Sequence, residues 1–256
     1  MSPPDLLDVL TAEAIADPET LGLILHGSRA VGVERPDSDY DLLRVVTDES
    51  FAERKEQGTL RDHRRAAGGP MADVAYTCLE RLRFFAENPD WYTAMFVTGK
   101  VLVDETGELA RLLGEIVEHG GLRAWEGISE TYDDYLNCFV RSLKAWRRGN
   151  ELGGRMQAAH SCLSLVRLLF ALERRWPPFH DQLRGPLREL EAAQGWKDGF
   201  LEAALTRVLD TGDPSFQQQF ELRVESLLSS RGIAHEWGPD DDLEPLKAHR
   251  FEAEPA

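Results

Sequence analysis

Basic residues, cysteines and long apolar runs are all scarce in this chain, and each shortage excludes something. Lys and Arg number 29 against 45 Asp and Glu, a formal net charge of −16. A phosphate backbone is bound by releasing counterions from a basic surface, so extended nucleic-acid contact is disfavoured. The three cysteines, Cys78, Cys138 and Cys162, are an odd number without metal-type spacing, and reduced, mostly buried thiols are expected. No run approaches the roughly eighteen apolar residues of a membrane helix. The opening MSPPDLLDVL has no basic segment leading into an apolar one, so a secretory signal is not expected and a cytoplasmic location is. What remains, 256 residues with 42% hydrophobic content, is enough to bury a good core in two domains.

The informative stretch is residues 22–46, GLILHGSRAVGVERPDSDYDLLRVV. Leu23, Ile24 and Leu25 read as a short buried strand, and Gly27-Ser28 stops it where a small residue lets the backbone approach a phosphate. Arg29, Ala30 and Val31 would open a helical turn whose free N–H groups, with the Ser28 hydroxyl, suit phosphate oxygens. Asp39, Tyr40, Asp41, Leu42 and Leu43 then form a second strand. Side chains alternate along a strand, so Asp39 and Asp41 share one face and make a hard-cation site.

Residues 70–77, PMADVAYT, supply a third carboxylate. Asp73, Ala75 and Thr77 lie on one face of this strand, so Asp73 can face the other two acids if the strands are neighbours. Adjacent strands sit about 4.8 Å apart, within reach of two Mg²⁺ ions roughly 3.5–4 Å apart.

Gly27, Ser28, Asp39, Asp41 and Asp73 together resemble the signature of the DNA polymerase β-like nucleotidyltransferase superfamily: a Gly-Ser turn, a spacer of about ten residues, an Asp-x-Asp strand and a later acid. The resemblance covers roughly residues 20–107, with Val101-Leu102-Val103-Asp104 as the closing strand. The remainder is similar to the helical C-terminal domain of stand-alone bacterial members, aminoglycoside nucleotidyltransferases among them. It implies an α/β (α+β) fold, a small mixed-sheet catalytic domain followed by an all-α bundle. It implies Asp39, Asp41 and Asp73 as metal ligands for Mg²⁺ or Mn²⁺, and Gly27 and Ser28 as contacts for an NTP, with ATP first; Arg29 either adds charge to that contact or is an exposed arginine at a helix start. Asp73 doubles as the base for the acceptor hydroxyl. The acceptor expected is a small hydroxylated molecule; alternatives are a protein side chain, as in nucleotidylating antitoxins, and a catalytically silent nucleotide-binding module. Related helical domains often carry a lysine after an aromatic turn, where this chain has His180-Asp181-Gln182.

Along the chain, Leu6, Leu7, Leu10 and Ile15 suggest a first helix. Residues 48–69 read as a helix and then a loop, with Arg61, His63, Arg64 and Arg65 as a solvated turn or a phosphate-contacting loop and Ala66 to Pro70 as a flexible return. From residue 108 the apolar period becomes 3.6, with helices near 108–119, 130–148, 153–176, 185–195, 198–210 and 215–231; Gly120-Gly121 and Gly127 mark a boundary region. On the helix at 130–148, Tyr132, Tyr135, Leu136, Phe139, Val140, Leu143 and Trp146 form a core stripe. Arg141, Lys144 and Arg148 gather opposite, either a solvated face or cationic contacts for the triphosphate. Trp176-Pro177-Pro178-Phe179 is expected to close the bundle. The domains drawn are 1–107, 108–232 and an acidic, mobile tail at 233–256, which holds seven acids and two Lys/Arg.

Overall fold

The structure, a computed structural model, describes residues 5–65, 69–238 and 241–251. Ala66, Ala67 and Gly68 of the expected flexible return, and Pro239, Asp240 and Pro255 of the expected tail, lie outside the described residues. The chain divides into two compact units, Met1–Gly121 with Trp176–Gln182, and Leu122–Arg175 with Leu183–Ala256. Among the described residues no helix is long and apolar enough to cross a membrane.

The first unit runs α1 (Leu6–Ala16), β1 (Thr20–His26), α2 (Gly27–Val31), β2 (Tyr40–Val46), α3 (Asp48–Gln57), β3 (Arg61–Arg65), β4 (Met71–Cys78), α4 (Leu79–Glu87), α5 (Thr93–Val97), β5 (Lys100–Asp104) and α6 (Glu108–Glu126). Local chemistry sets several of these bounds. Asp5 caps α1 by accepting from the Leu7 amide, Thr47 caps α3 by accepting from Ser50, and Gly58 ends α3 in the left-handed region. The five strands form one mixed sheet in the order β3-β4-β2-β1-β5. β2 runs parallel to β4, and the other neighbours are antiparallel.

Alternation gives the sheet two apolar faces. Leu23, Leu25, Leu42, Val74 and Tyr76 pack in one cluster with Leu6 and Leu10 of α1. Ile24, Leu43 and Val45 pack on the other side with Leu82 of α4, Phe96 of α5 and Leu109, Leu112 and Ile116 of α6. α6 therefore contributes to the first unit's core, although its 3.6 period alone assigned residues 108–119 to the helical domain. Gly120 and Gly121 do not interrupt α6. Both are buried, and a Cβ on Gly120 would meet Thr93 Cγ2 at 2.7 Å, so glycine there permits close packing.

Two further readings are corrected here. Residues 61–65 are an edge strand and not a turn: RDHRR has no apolar alternation, and β3 exists because its backbone pairs with β4. Its charges leave an edge unsuited to pairing with another chain. Trp176–Gln182 joins the first unit instead of closing the helical bundle, with Trp176 near Gly120 and Thr98 Oγ1 donating to Gln182 Oε1 at 3.0 Å.

The second unit contains α7 (Ile128–Arg147), α8 (Glu151–Leu172), α9 (Arg184–Ala193), α10 (Phe200–Thr211), α11 (Pro214–Ser230) and α12 (Leu243–Lys247). The α7 stripe is buried as its period requires, with Tyr132, Tyr135, Leu136, Phe139, Val140 and Leu143 in one large core. The segment read as a mobile acidic tail carries α12, whose Leu243 and Leu246 are 2% and 0% exposed in that core. Gln218 Nε2 donates to the carbonyls of Leu246 and His249, and Lys247 pairs with Glu225 and Glu244. High acidic content hid two leucines spaced to reach the core.

Candidate active site

The site begins where β1 stops. Gly27 has φ +73°, and a Cβ built on it would lie 2.2 Å from Asp41 Oδ2. Only glycine lets the backbone sit against that carboxylate. Ser28 follows in α2. Across from them, Asp41 pairs in register with His26 on β1 and with Asp73 on β4. Lateral partners in a sheet project to the same face, so Asp41 and Asp73 stand side by side on adjacent strands. Asp39 lies two residues before Asp41, exposed, just ahead of β2.

Electrostatics mark this as a place where negative charge has been concentrated. Burial, then Asp73, Asp39 and Asp181 in turn, push the Asp41 carboxyl above its ordinary value. Asp73 Oδ1 is buried and has no hydrogen-bond partner. Arg61 Nη1 lies 3.6 Å from Asp73 Oδ2, and His63 Nδ1 lies 3.7 Å from Asp73 Oδ1. His26 is drawn down to about 4, chiefly by burial and further by Arg61, with Asp73 opposing, so its imidazole is neutral at physiological pH.

This donor set fits a hard divalent cation. Carboxylate oxygens are the ligands Mg²⁺ and Mn²⁺ prefer, and an orphaned buried carboxylate oxygen is the atom a cation would satisfy. The three acids do not draw together into one tight trio. Among the described residues, the trio whose ligand atoms all fall within 4.8 Å is Asp48, Cys78 and Glu80. Those groups sit at the N-terminal ends of α3 and α4, where helix dipoles disfavour cations, and burial holds the Cys78 thiol above its usual range. Acids that share two ions about 3.5–4 Å apart are spread more widely than the ligands of one ion.

Arg29 holds the turn to the loop ahead of β2. Its Nε and Nη2 donate to the Ser38 carbonyl at 2.9 and 2.7 Å, and its guanidinium lies 4.1 Å from the Tyr40 ring centroid. The Tyr40 hydroxyl in turn donates to Asp5 at 2.8 Å. Arg29 thus ties the Gly-Ser turn to the residue immediately before Asp39. Arg141, Lys144 and Arg148 belong to the second unit: Arg141 donates to Asn137, Lys144 pairs with Asp242, and with Trp237 they line a cavity of ≈ 410 Å³.

Four residues at the site were not assigned to it from the sequence. His26 is adjacent to Gly27, and its register with Asp41 could have been read from the hairpin. Arg61 and His63 required β3 to be seen as a strand. Asp181 lies more than a hundred residues downstream of Asp73 and reaches the acids only because Trp176–Gln182 returns to the first unit.

No protein-family model and no curated protein matches this chain. Among solved structures, it is similar to a nucleotidyltransferase-like protein from Exiguobacterium sibiricum 255-15, at 18% identity and a TM-score of 0.41, over 94% of this chain and 85% of that one. A likeness so remote leaves the chemistry to be argued from the site itself.

Proposed function

We propose that the chain transfers a nucleoside monophosphate from an NTP to a hydroxyl on a small acceptor, releasing pyrophosphate. The observation that carries this reading is the pairing of Asp41 with Asp73 on parallel strands beside Gly27, whose backbone is fitted to the Asp41 carboxylate. Asp39, Asp41 and Asp73 would hold Mg²⁺ or Mn²⁺, which when bound neutralises phosphate charge and lowers the pKa of an attacking hydroxyl.

The chain's own residues divide the remaining work. Backbone amides at Gly27-Ser28 and the Ser28 hydroxyl bind the β- and γ-phosphates, and Arg29 keeps that turn in register with Asp39 through Ser38. The acceptor oxygen forms a bond to the α-phosphorus, the bridging bond to the β-phosphate breaks, and pyrophosphate leaves toward Gly27-Ser28. Asp73 takes the hydroxyl proton, a role worth about 10²- to 10⁴-fold in rate. Neutral His26, half-buried and in register with Asp41, adds no charge that would compete with a cation.

A ligand that binds only the folded state stabilises it, by about 2.7 kcal/mol at a hundredfold excess over Kd. The melting temperature should therefore rise with Mg²⁺ and ATP together, and the rise should vanish in the Asp39→Ala, Asp41→Ala double variant. No rise in the wild-type protein at saturating nucleotide would overturn the reading. A rise without pyrophosphate release across a panel of hydroxylated acceptors would select a silent binding module instead.

A further inference from the structure

We infer that the cavity beside Asp73 is the acceptor subsite and that it takes a flat, hydroxylated aromatic acid, an inference that rests on the nucleotidyl-transfer reading above. In an in-line displacement the attacking and leaving oxygens occupy opposite sides of phosphorus. The sheet order β3-β4-β2-β1-β5 sets Gly27-Ser28 at the end of β1, Asp41 on β2 and Asp73 on β4. Pyrophosphate held at the turn therefore leaves on the β1 side, and the acceptor arrives on the β4 side.

A cavity of ≈ 220 Å³ opens there, with Asp41 and Asp73 in its lining. Its floor is Ala75, in register between Leu43 and Arg61. A methyl at this strand position leaves a space that a larger residue would fill. Three rings line it: Phe85 lies 5.6 Å from Tyr92 and 6.2 Å from Phe96, centroid to centroid. Trp91, 62% exposed, stacks on Tyr92 at 3.9 Å. Flat faces of this kind favour a planar apolar body.

Charge supplies the second requirement. Arg81 lines the same cavity, lies 5.7 Å from the Phe85 ring centroid, and pairs with no carboxylate among the described residues. In a chain of net charge −16, an exposed guanidinium without a carboxylate partner at an aromatic cavity is suited to an anion. The cavity thus offers Asp73 to a hydroxyl, its rings and Ala75 to a planar body, and Arg81 to an acid.

The test uses 6-hydroxy-2-naphthoate as a fluorescent probe, beside neutral 2-naphthol and cationic 2-naphthylmethylamine. Saturable binding of the hydroxy acid is expected, about tenfold weaker in Arg81→Glu, which removes a charge-assisted contact. Ala75→Leu, which fills the floor, should weaken it as much. Both variants should keep the melting-temperature rise with Mg²⁺ and ATP. Unchanged probe affinity in both variants, or a cationic ring bound as tightly as the acid, overturns the inference while leaving nucleotide binding intact. If Ala75→Leu does not fold by circular dichroism, Arg81→Glu, an exposed position, decides alone. Probe binding without any Mg²⁺-ATP response overturns the acceptor role through the parent reading.

Discussion

Each unit of this protein buries a carboxylate at a raised pKa, and the two are built to opposite ends. Asp41 stands with Asp39, Asp73 and Asp181 around it, on a strand end beside a cavity. Glu221 of α11 is 1% exposed in the helical core, and the acids near it, Glu225 and Glu244, are both paired with Lys247. Burial pushes Glu221 up to about 8, against the pull of the Tyr135 hydroxyl and the Lys247 ammonium. Several carboxylates converging from different strands cannot all be neutralised by protons near pH 7 and call for a cation. A single dry carboxylate keeps its proton. Perturbed titration alone does not identify a site; what distinguishes the two is the alignment of acids on adjacent strands and their access to a cavity.

Replacing Asp73 by Asn tests the first half of that contrast most severely. Nucleotidyl transfer should fall about 10²- to 10⁴-fold. The ligand-free protein should become more stable, because Asp73 is among the carboxylates that raise Asp41. Pyrophosphate release and urea unfolding of the same variant check both. A variant that loses stability along with activity would make Asp73 a structural acid.

The second half depends on a dry helical core, which α12 helps to close. Leu246→Ala should cost about 2–5 kcal/mol, the range for a buried leucine in a packed core. A change within ±0.5 kcal/mol by denaturant unfolding would mark residues 243–247 as an appendage.

The remaining effect is graded with pH. Glu221 ionises at the usual 4.5 when unfolded and near 8 when folded, so the stability held by its proton is complete below 4.5 and is lost as pH rises toward 8. Glu221→Gln carries no such loss. It should gain on the wild type by about 1.4 kcal/mol per pH unit across that window. Unfolding curves across this range that stay parallel would show that Glu221 is not dry.

Legibility followed the range of the interactions. The β1 strand, the Gly-Ser turn and the Asp-x-Asp strand were readable because each is set by alternation and turn chemistry within a few residues. β3 was not, since Arg61–Arg65 form a strand only by pairing with β4. The acidic segment after residue 232 misled for a related reason: charge count described its surface, while Leu243 and Leu246 decided its place. The bond from Arg29 to Ser38 was not readable, because the loop that brings Ser38 to it has no periodic pattern.

By itself, then, the sequence determined the local devices: a bend that needs glycine, a strand that carries Asp41 with Asp39 just ahead of it, and helices with an apolar stripe. Only the tertiary structure decided that Asp73 falls in register with Asp41, that Asp181 joins them from a distant segment, and that Glu221 is left dry. Backbone geometry is fixed over a few bonds, whereas proximity and solvent exclusion arise from contacts between elements far apart in the chain.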